Sequence, residues 1–235
     1  MTEIFAHRGS CHRARENTIA AFLAARDLGA DGIELDVHLT ADGNVVVHHD
    51  FEVPGLGPII KRLSSELPSW LPSLVDALDA CRPLLVNVEI KHDEAEPVHA
   101  LAFEVATILA ARSEAKQIVV SSFSLSAIDA VRAFEPDLST ALLVEPDQNP
   151  MNALEIVRQG GHRGLHPFFF SVDATLMTAA NAFGIAVRAW TVDDPVRIAA
   201  LADLGVDAVV TNDVPAALRV LGRSGKPSAS EPDGT

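Results

Sequence analysis

The chain has 235 residues, of which 48% are hydrophobic and 21% charged, enough to bury a sizeable core as one large domain or two small ones. A formal net charge of −14 argues against nucleic acid or an anionic membrane surface as a partner. Two cysteines, Cys11 and Cys81, are too few for a disulfide framework and lack metal-ligand spacing.

Apolar runs with strand character alternate with helical periodicity along the whole length. Residues 4–8 form the first expected strand, and a helix over 18–28 opens after Asn17. The second strand, 32–37, alternates strictly: Ile33, Leu35 and Val37 share one face, while Glu34, Asp36 and His38 share the other. A turn at Asp42-Gly43, a short extra strand over 45–48 and a Pro/Gly-rich stretch to Ser69 then read as an insertion before a helix over 74–80. The third strand, 84–90, repeats the pattern of the second, with Asn87, Glu89 and Lys91 opposite Val86, Val88 and Ile90.

Helices over 98–111, 126–134, 153–158, 174–183, 196–204 and 216–221 alternate with strands over 118–122, 140–144, 164–168, 186–191 and 208–211. Eight such units in this length predict an α/β chain folded as a (β/α)8 TIM barrel over residues 1–222, with a short insertion after the second strand. A doubly wound open sheet is the runner-up. Residues 223–235, rich in Ser, Pro and Gly, are expected to be a disordered tail. An apolar strand begins within a few residues of Met1 and no 18-residue apolar run occurs, so the expected location is cytoplasmic.

Two unpaired carboxylates side by side on an inward strand face would be expensive to bury, so Glu34 and Asp36 point to a bound cation. Glu89 adds a third oxygen donor, and an all-oxygen set favours a hard ion, Mg2+ or Ca2+, with Mn2+ as a third candidate. Arg8 and Lys91 at strand ends supply fixed positive charge for an anionic group. Histidines in Ala6-His7-Arg8-Gly9 and His48-His49-Asp50 are suited to general acid and base work, since imidazole titrates near neutral pH. Taken singly, each has a structural alternative: His7 as a packed core histidine, Lys91 as a neutraliser of Glu89, Glu16 as an ion-pair partner of Arg8. Trp190 divides between barrel packing and a wall of the substrate pocket, and His166 is a candidate pocket residue.

The motifs His7-Arg8-Gly9, Glu16-Asn17-Thr18, Glu34-Leu35-Asp36-Val37, Thr40-Ala41-Asp42-Gly43, His49-Asp50, Glu89-Ile90-Lys91, Trp190-Thr191-Val192 and Gly205-Val206-Asp207 occur in this order at strand ends. In this respect the chain resembles the glycerophosphodiester phosphodiesterases over nearly its whole length. The resemblance implies a TIM barrel, metal ligands at Glu34, Asp36 and Glu89, and catalytic histidines at His7 and His49. His49 is preferred over His48 because the family's functional histidine directly precedes Asp. The implied reaction releases glycerol 3-phosphate and an alcohol such as choline or ethanolamine. One histidine helps the glycerol hydroxyl attack phosphorus, the other protonates the leaving alcohol, and water opens the cyclic phosphate. The chain departs from the family at Arg15, where Pro is usual, and in the segment after Asp50, which lacks the usual threonines and is short.

Two other functions stand beside this one: hydrolysis of lysophospholipids or related phospholipids by the same type of barrel, and silent binding of glycerophosphodiesters. No Gly-x-Ser-x-Gly elbow, phosphate-binding P-loop or His-Glu-x-x-His helix is present, and the chain has no tyrosine. Trp190 is the only obvious apolar wall in the sequence, and no exposed apolar stretch suggests membrane docking. The expected partner is therefore a small water-soluble phosphodiester, with no stable membrane association and an oligomeric state left open.

Overall fold

The computed structural model describes residues 1–92 and 97–224. Strand β1 (Glu3–His7) precedes helix α1 (Ile19–Leu28). Strand β2 (Gly32–Leu39) leads into an insertion with β3 (Val45–Val47) and a hairpin of β4 (Glu52–Val53) and β5 (Gly57–Pro58), and then α2 (Leu74–Cys81). Six further units follow: β6 (Leu85–Ile90) with α3 (Val98–Ala110), β7 (Ile118–Ser122) with α4 (Leu125–Phe134), and β8 (Ser139–Val144) with α5 (Pro150–Gly160). The last three are β9 (Gly164–Pro167) with α6 (Ala174–Phe183), β10 (Ala186–Ala189) with α7 (Pro195–Leu204), and β11 (Ala208–Thr211) with α8 (Val214–Val220).

The parallel strands run in the order β1-β11-β10-β9-β8-β7-β6-β2, and β2 pairs back onto β1. That pairing closes the sheet into a (β/α)8 barrel and excludes the open doubly wound alternative. β3 lies antiparallel along the last residues of β2, extending the wall at the catalytic end of such a barrel.

Strand alternation divides the side chains as the sequence predicts. Ile33, Leu35 and Val37 of β2 and Val86, Val88 and Ile90 of β6 are buried under the helices with Phe22, Leu74, Leu101 and Val105. Each large aliphatic or aromatic side chain so buried contributes about 1.5–3 kcal/mol of transfer free energy. The opposite face fills the barrel: Phe5, Ala208 and Val210 form a separate interior cluster against Leu85 and Trp190. Gly32 stands opposite Phe5, and a Cβ there would lie 2.4 Å from the ring. The barrel is thus plugged below the site rather than open.

Helix starts are encoded locally. Thr18, Ser73, Asn149, Asp173, Asp194 and Asp213 each accept a hydrogen bond from a first-turn amide. Proline in the first turn moves three helices earlier than the sequence periodicity suggests: α5 starts at Pro150, α7 at Pro195 and α8 at Val214. In α5 and α7 the first turns are polar or exposed, so hydrophobic spacing does not register them, and in all three helices proline lacks only an amide that has no helical partner there. The strand over 186–191 is also shorter than expected, ending at Ala189 before Trp190 makes a lone bridge with Phe168.

Arg223, assigned by the sequence to the tail, is tied down instead: its guanidinium donates to both carboxylate oxygens of Asp31 at 2.6 and 2.7 Å. Residues 225–235, the rest of the expected tail, lie outside the described residues.

Candidate active site

Sheet register assembles the site. His7 pairs with Glu34, and Glu34 with Asn87, in one row of inward side chains; one step further along the strands, Asp36 pairs with Glu89, and Glu89 with Ser121. Six polar groups from four adjacent strands therefore meet at the C-terminal end of the barrel, where this fold builds its active sites. Ligand oxygens of Glu34, Asp36 and Glu89, all buried, lie within 4.8 Å of one another.

The carboxylates are unequally supplied with partners. Asp36 accepts a 2.8 Å hydrogen bond from the Asn17 amide and lies 3.5 Å from Arg8 Nε and 3.4 Å from Lys91 Nζ. Burial alone would raise its pKa, but Lys91 and Arg8 outweigh burial and hold it below the usual carboxylate value. Glu34 accepts from the backbone N–H of Arg8 at 3.1 Å, whereas its Oε1 is buried and has no hydrogen-bond partner among the described residues. Burial, then the charges of Asp36 and Glu89, push Glu34 well above its normal value. Glu89, bonded to Lys91 Nζ at 2.9 Å, is pushed up to about 7 by burial and then by Asp36. A buried donor oxygen without a partner, in a set of three carboxylates that resist joint ionisation, fits a hard divalent cation.

Arg8 and Asn17 are the two non-glycine residues with positive φ among the described residues, at 55° and 54°. The Asn17 amide N–H donates to the Arg8 carbonyl at 2.9 Å, so the two strained residues hold one another. Gly9 completes the turn at φ 82°, and a Cβ there would sit 2.8 Å from the Ala21 backbone. This packing brings the loop after β1 against α1 and aims Arg8 into the site. Arg8 also pairs with Glu16 at 3.0 Å, the structural role weighed for that residue.

His7, Arg8, Glu34, His49, Glu89, Lys91 and Trp190 all line one cleft of about 140 Å3 at the mouth of the barrel. Asp36 sits just behind it, against Lys91 and Arg8. His49 reaches the cleft, with Nδ1 2.7 Å from the Asp50 carboxylate. His48 turns away and packs edge-on against Trp70 at 5.7 Å. His166 lies in the cleft floor, where burial holds it well below the normal histidine value.

Three features escape the sequence reading. Asn212 bonds to His7 Nδ1 at 2.7 Å and is itself gripped by Asp193; its position directly after a strand end is the signal that could have found it. Asn17, quoted within a motif, buttresses Asp36. The expectation that Trp190 is the sole apolar wall fails: Phe123, Leu143 and Val210 also line the cleft, and Phe123 meets Trp190 edge-on at 5.4 Å. Phe168 continues this cluster beside Trp190, and Phe170 is 73% exposed, so the mouth carries an apolar rim that a scan for long apolar runs does not detect.

Comparison with known proteins gives the family and the fold. The model of the Glycerophosphoryl diester phosphodiesterase family matches residues 7–65 and 61–216. A glycerophosphodiester phosphodiesterase of Caldanaerobacter subterraneus subsp. tengcongensis is 31% identical across 95% of this chain and 99% of its own. Among solved structures, an Oleispira antarctica phosphodiesterase in complex with the product sn-glycerol-3-phosphate superposes with a TM-score of 0.86 at 25% identity, covering 94% of this chain and 97% of that one. The Thermotoga maritima glycerophosphodiester phosphodiesterase gives 0.79 at 27% identity, covering 95% and 99%.

Proposed function

The chain belongs to the glycerophosphoryl diester phosphodiesterase family, and we propose that it hydrolyses water-soluble glycerophosphodiesters to glycerol 3-phosphate and an alcohol, with one divalent cation and two histidines in the site. The observation that carries this reading is the convergence of Glu34, Asp36 and Glu89 in the cleft that holds His7, His49, Arg8 and Lys91. Glu34, Asp36 and Glu89 would hold the cation, Mg2+ or Ca2+ by their all-oxygen chemistry. When bound, such an ion supplies Lewis-acid polarisation of a phosphoryl oxygen.

The chain's own residues do the rest. Arg8 and Lys91 present positive charge to the phosphoryl oxygens, where charge grows in the transition state. Lys91 stays charged despite burial because Asp36 and Glu89 face it. His7 is pushed below the normal histidine value by burial and then by Arg8, so it is neutral near pH 7 and able to take a proton from the attacking hydroxyl. His49 has a carboxylate behind Nδ1 where His7 has an amide, an arrangement that suits it to deliver a proton to the leaving alcohol. Trp190, whose indole N–H donates to the His166 carbonyl at 2.7 Å, is held as a rigid wall for the organic part of the substrate.

A cytoplasmic setting belongs to the same proposal; no described helix is long and apolar enough to cross a membrane. The second reading, hydrolysis of lysophospholipids, draws support from the exposed Phe170 beside Phe168 and Trp190.

The deciding assay follows alcohol release from glycerophosphocholine, glycerophosphoethanolamine, glycerophosphoinositol and a lysophospholipid below its aggregation concentration, after chelation and then with Mg2+, Mn2+ or Ca2+ restored. The expected result is turnover of the deacylated diesters only with metal, and none by Asp36→Ala. Full activity in excess chelator, or a higher kcat/KM for the long-chain lipid, would refute the corresponding part.

A further inference from the structure

Asp193, in the loop after β10, and Asn212, directly after β11, lie beside His7 at the end of β1, on three strands adjacent in the barrel. The Asp193 carboxylate accepts three hydrogen bonds: from the Asn212 backbone N–H at 2.8 Å, from Thr211 Oγ1 at 2.9 Å and from Asn212 Nδ2 at 2.8 Å. An ionised carboxylate can only accept, so the Asn212 side chain must turn its NH2 group toward Asp193. Although burial works against ionisation, the Asn212 and Thr211 bonds pull Asp193 below the ordinary carboxylate value. With its NH2 so committed, Asn212 presents Oδ1 to His7, and Oδ1 can only accept. The proton in the 2.7 Å contact must then belong to His7 Nδ1. Neutral His7 is left with its lone pair on Nε2, the nitrogen on the Glu34 side of the ring, 3.9 Å from Glu34 Oε2.

We infer that Asp193 is a positioning residue which, through Asn212, sets the tautomer of His7 and thereby makes His7 the general base of the reaction. The inference rests on the proposed phosphodiester hydrolysis for its consequence, but the tautomer itself follows from the hydrogen bonds alone. In the reaction, the proton of the attacking hydroxyl passes to His7 Nε2 as the new O–P bond forms, while Nδ1–H stays on Asn212 Oδ1. The leaving oxygen takes its proton from the opposite histidine as its P–O bond breaks. Were the Asn212 amide reversed, Nε2 would carry the proton and His7 could not act as a base at the cleft. The relay joins groups 205 residues apart in sequence, and it needs a carboxylate at 193 rather than merely a polar side chain.

The test uses Asp193→Asn, which keeps the shape but can donate as well as accept, and so releases the constraint on the Asn212 amide. Nitrogen-15 NMR of the histidine rings near pH 8 in Mg2+ buffer, with His7 assigned by its loss in His7→Gln, reads the tautomer without any substrate. The wild type should show the Nδ1–H form at His7, and Asp193→Asn should populate the Nε2–H form. In the same variant kcat should fall by about 10²-fold or more while KM moves less than about twofold, since a wrongly placed proton disables the base and not binding. An Nε2–H tautomer in the wild type overturns the inference whatever the variants do. So does a folded Asp193→Asn with unchanged tautomer and kcat. Undiminished turnover by His7→Gln would instead refute the assignment of His7 to catalysis, leaving the relay's hydrogen bonds to be judged by the spectrum.

Discussion

Replacing Glu89 by Gln should stabilise the chelated protein at pH 8 and do far less at pH 5. In the folded, metal-free state burial and Asp36 raise the Glu89 pKa from 4.5 to about 7. Between these values the folded chain binds a proton that the unfolded chain has released, so stability falls as pH rises through this range. The contribution is fully present below 4.5 and lost above about 7. Integrating the binding difference gives a loss of about 2–3 kcal/mol between pH 5 and pH 8. Gln resembles the protonated acid and does not titrate, so its advantage over Glu should grow by about that amount across the interval. For a chain of this length that is a gain of roughly 5–10 °C in Tm relative to wild type. Taking the difference between two proteins removes the opposing histidines, among them His7 and His166, whose lowered values make the fold gain stability as pH rises. The assay is urea unfolding in EDTA at both pH values. Divalent cation should then raise the stability of the wild type more than that of the variant, because Gln lacks the charged donor. A Glu89→Gln advantage that stays constant from pH 5 to pH 8 would refute the argument, since the carboxylate could not then be strained in the apo site.

The two adjacent histidines separate by position: His49→Ala should lose about 10²-fold or more in kcat, while His48→Ala, which removes a contact with Trp70 outside the cleft, should lose far less. Equal losses would show that both rings reach the substrate. Gly32→Ala places a methyl 2.4 Å from the Phe5 ring in the barrel interior and should cost about 1–3 kcal/mol in urea unfolding. An unchanged midpoint would mean that the interior is less tightly packed than this contact requires.

Much of this protein is legible without its structure because the relevant physics is local. Alternation along β2 and β6 placed Glu34, Asp36 and Glu89 on the face opposite Ile33, Leu35, Val88 and Ile90, and the structure puts the aliphatic set in the core under the helices and the carboxylates together at the site. Strand parity is a property of neighbouring residues, so it survives without knowledge of the partner strand. The same holds for the cap Ser73, whose side chain bonds to the Asp76 amide three residues on, whereas α1 is capped by Thr18, one residue later than the start expected after Asn17. The family motifs sit at strand ends, so the barrel and its catalytic rim could be expected together.

What depended on the tertiary structure is what joins distant parts of the chain. Register set Asp36 beside Glu89 and His7 beside Glu34, and the turn after β3 decided which of His48 and His49 enters the cleft. The apolar rim was invisible because Phe123, Phe168 and Trp190 come from three separate strand ends, none within a long apolar run. Beyond Asn212's place directly after a strand end, Asn212 and Asp193 carry no local signature of a shared role. Each is an ordinary polar loop residue until barrel closure sets β11 and β10 beside β1, and only then does the direction of one amide determine which nitrogen of His7 carries the proton.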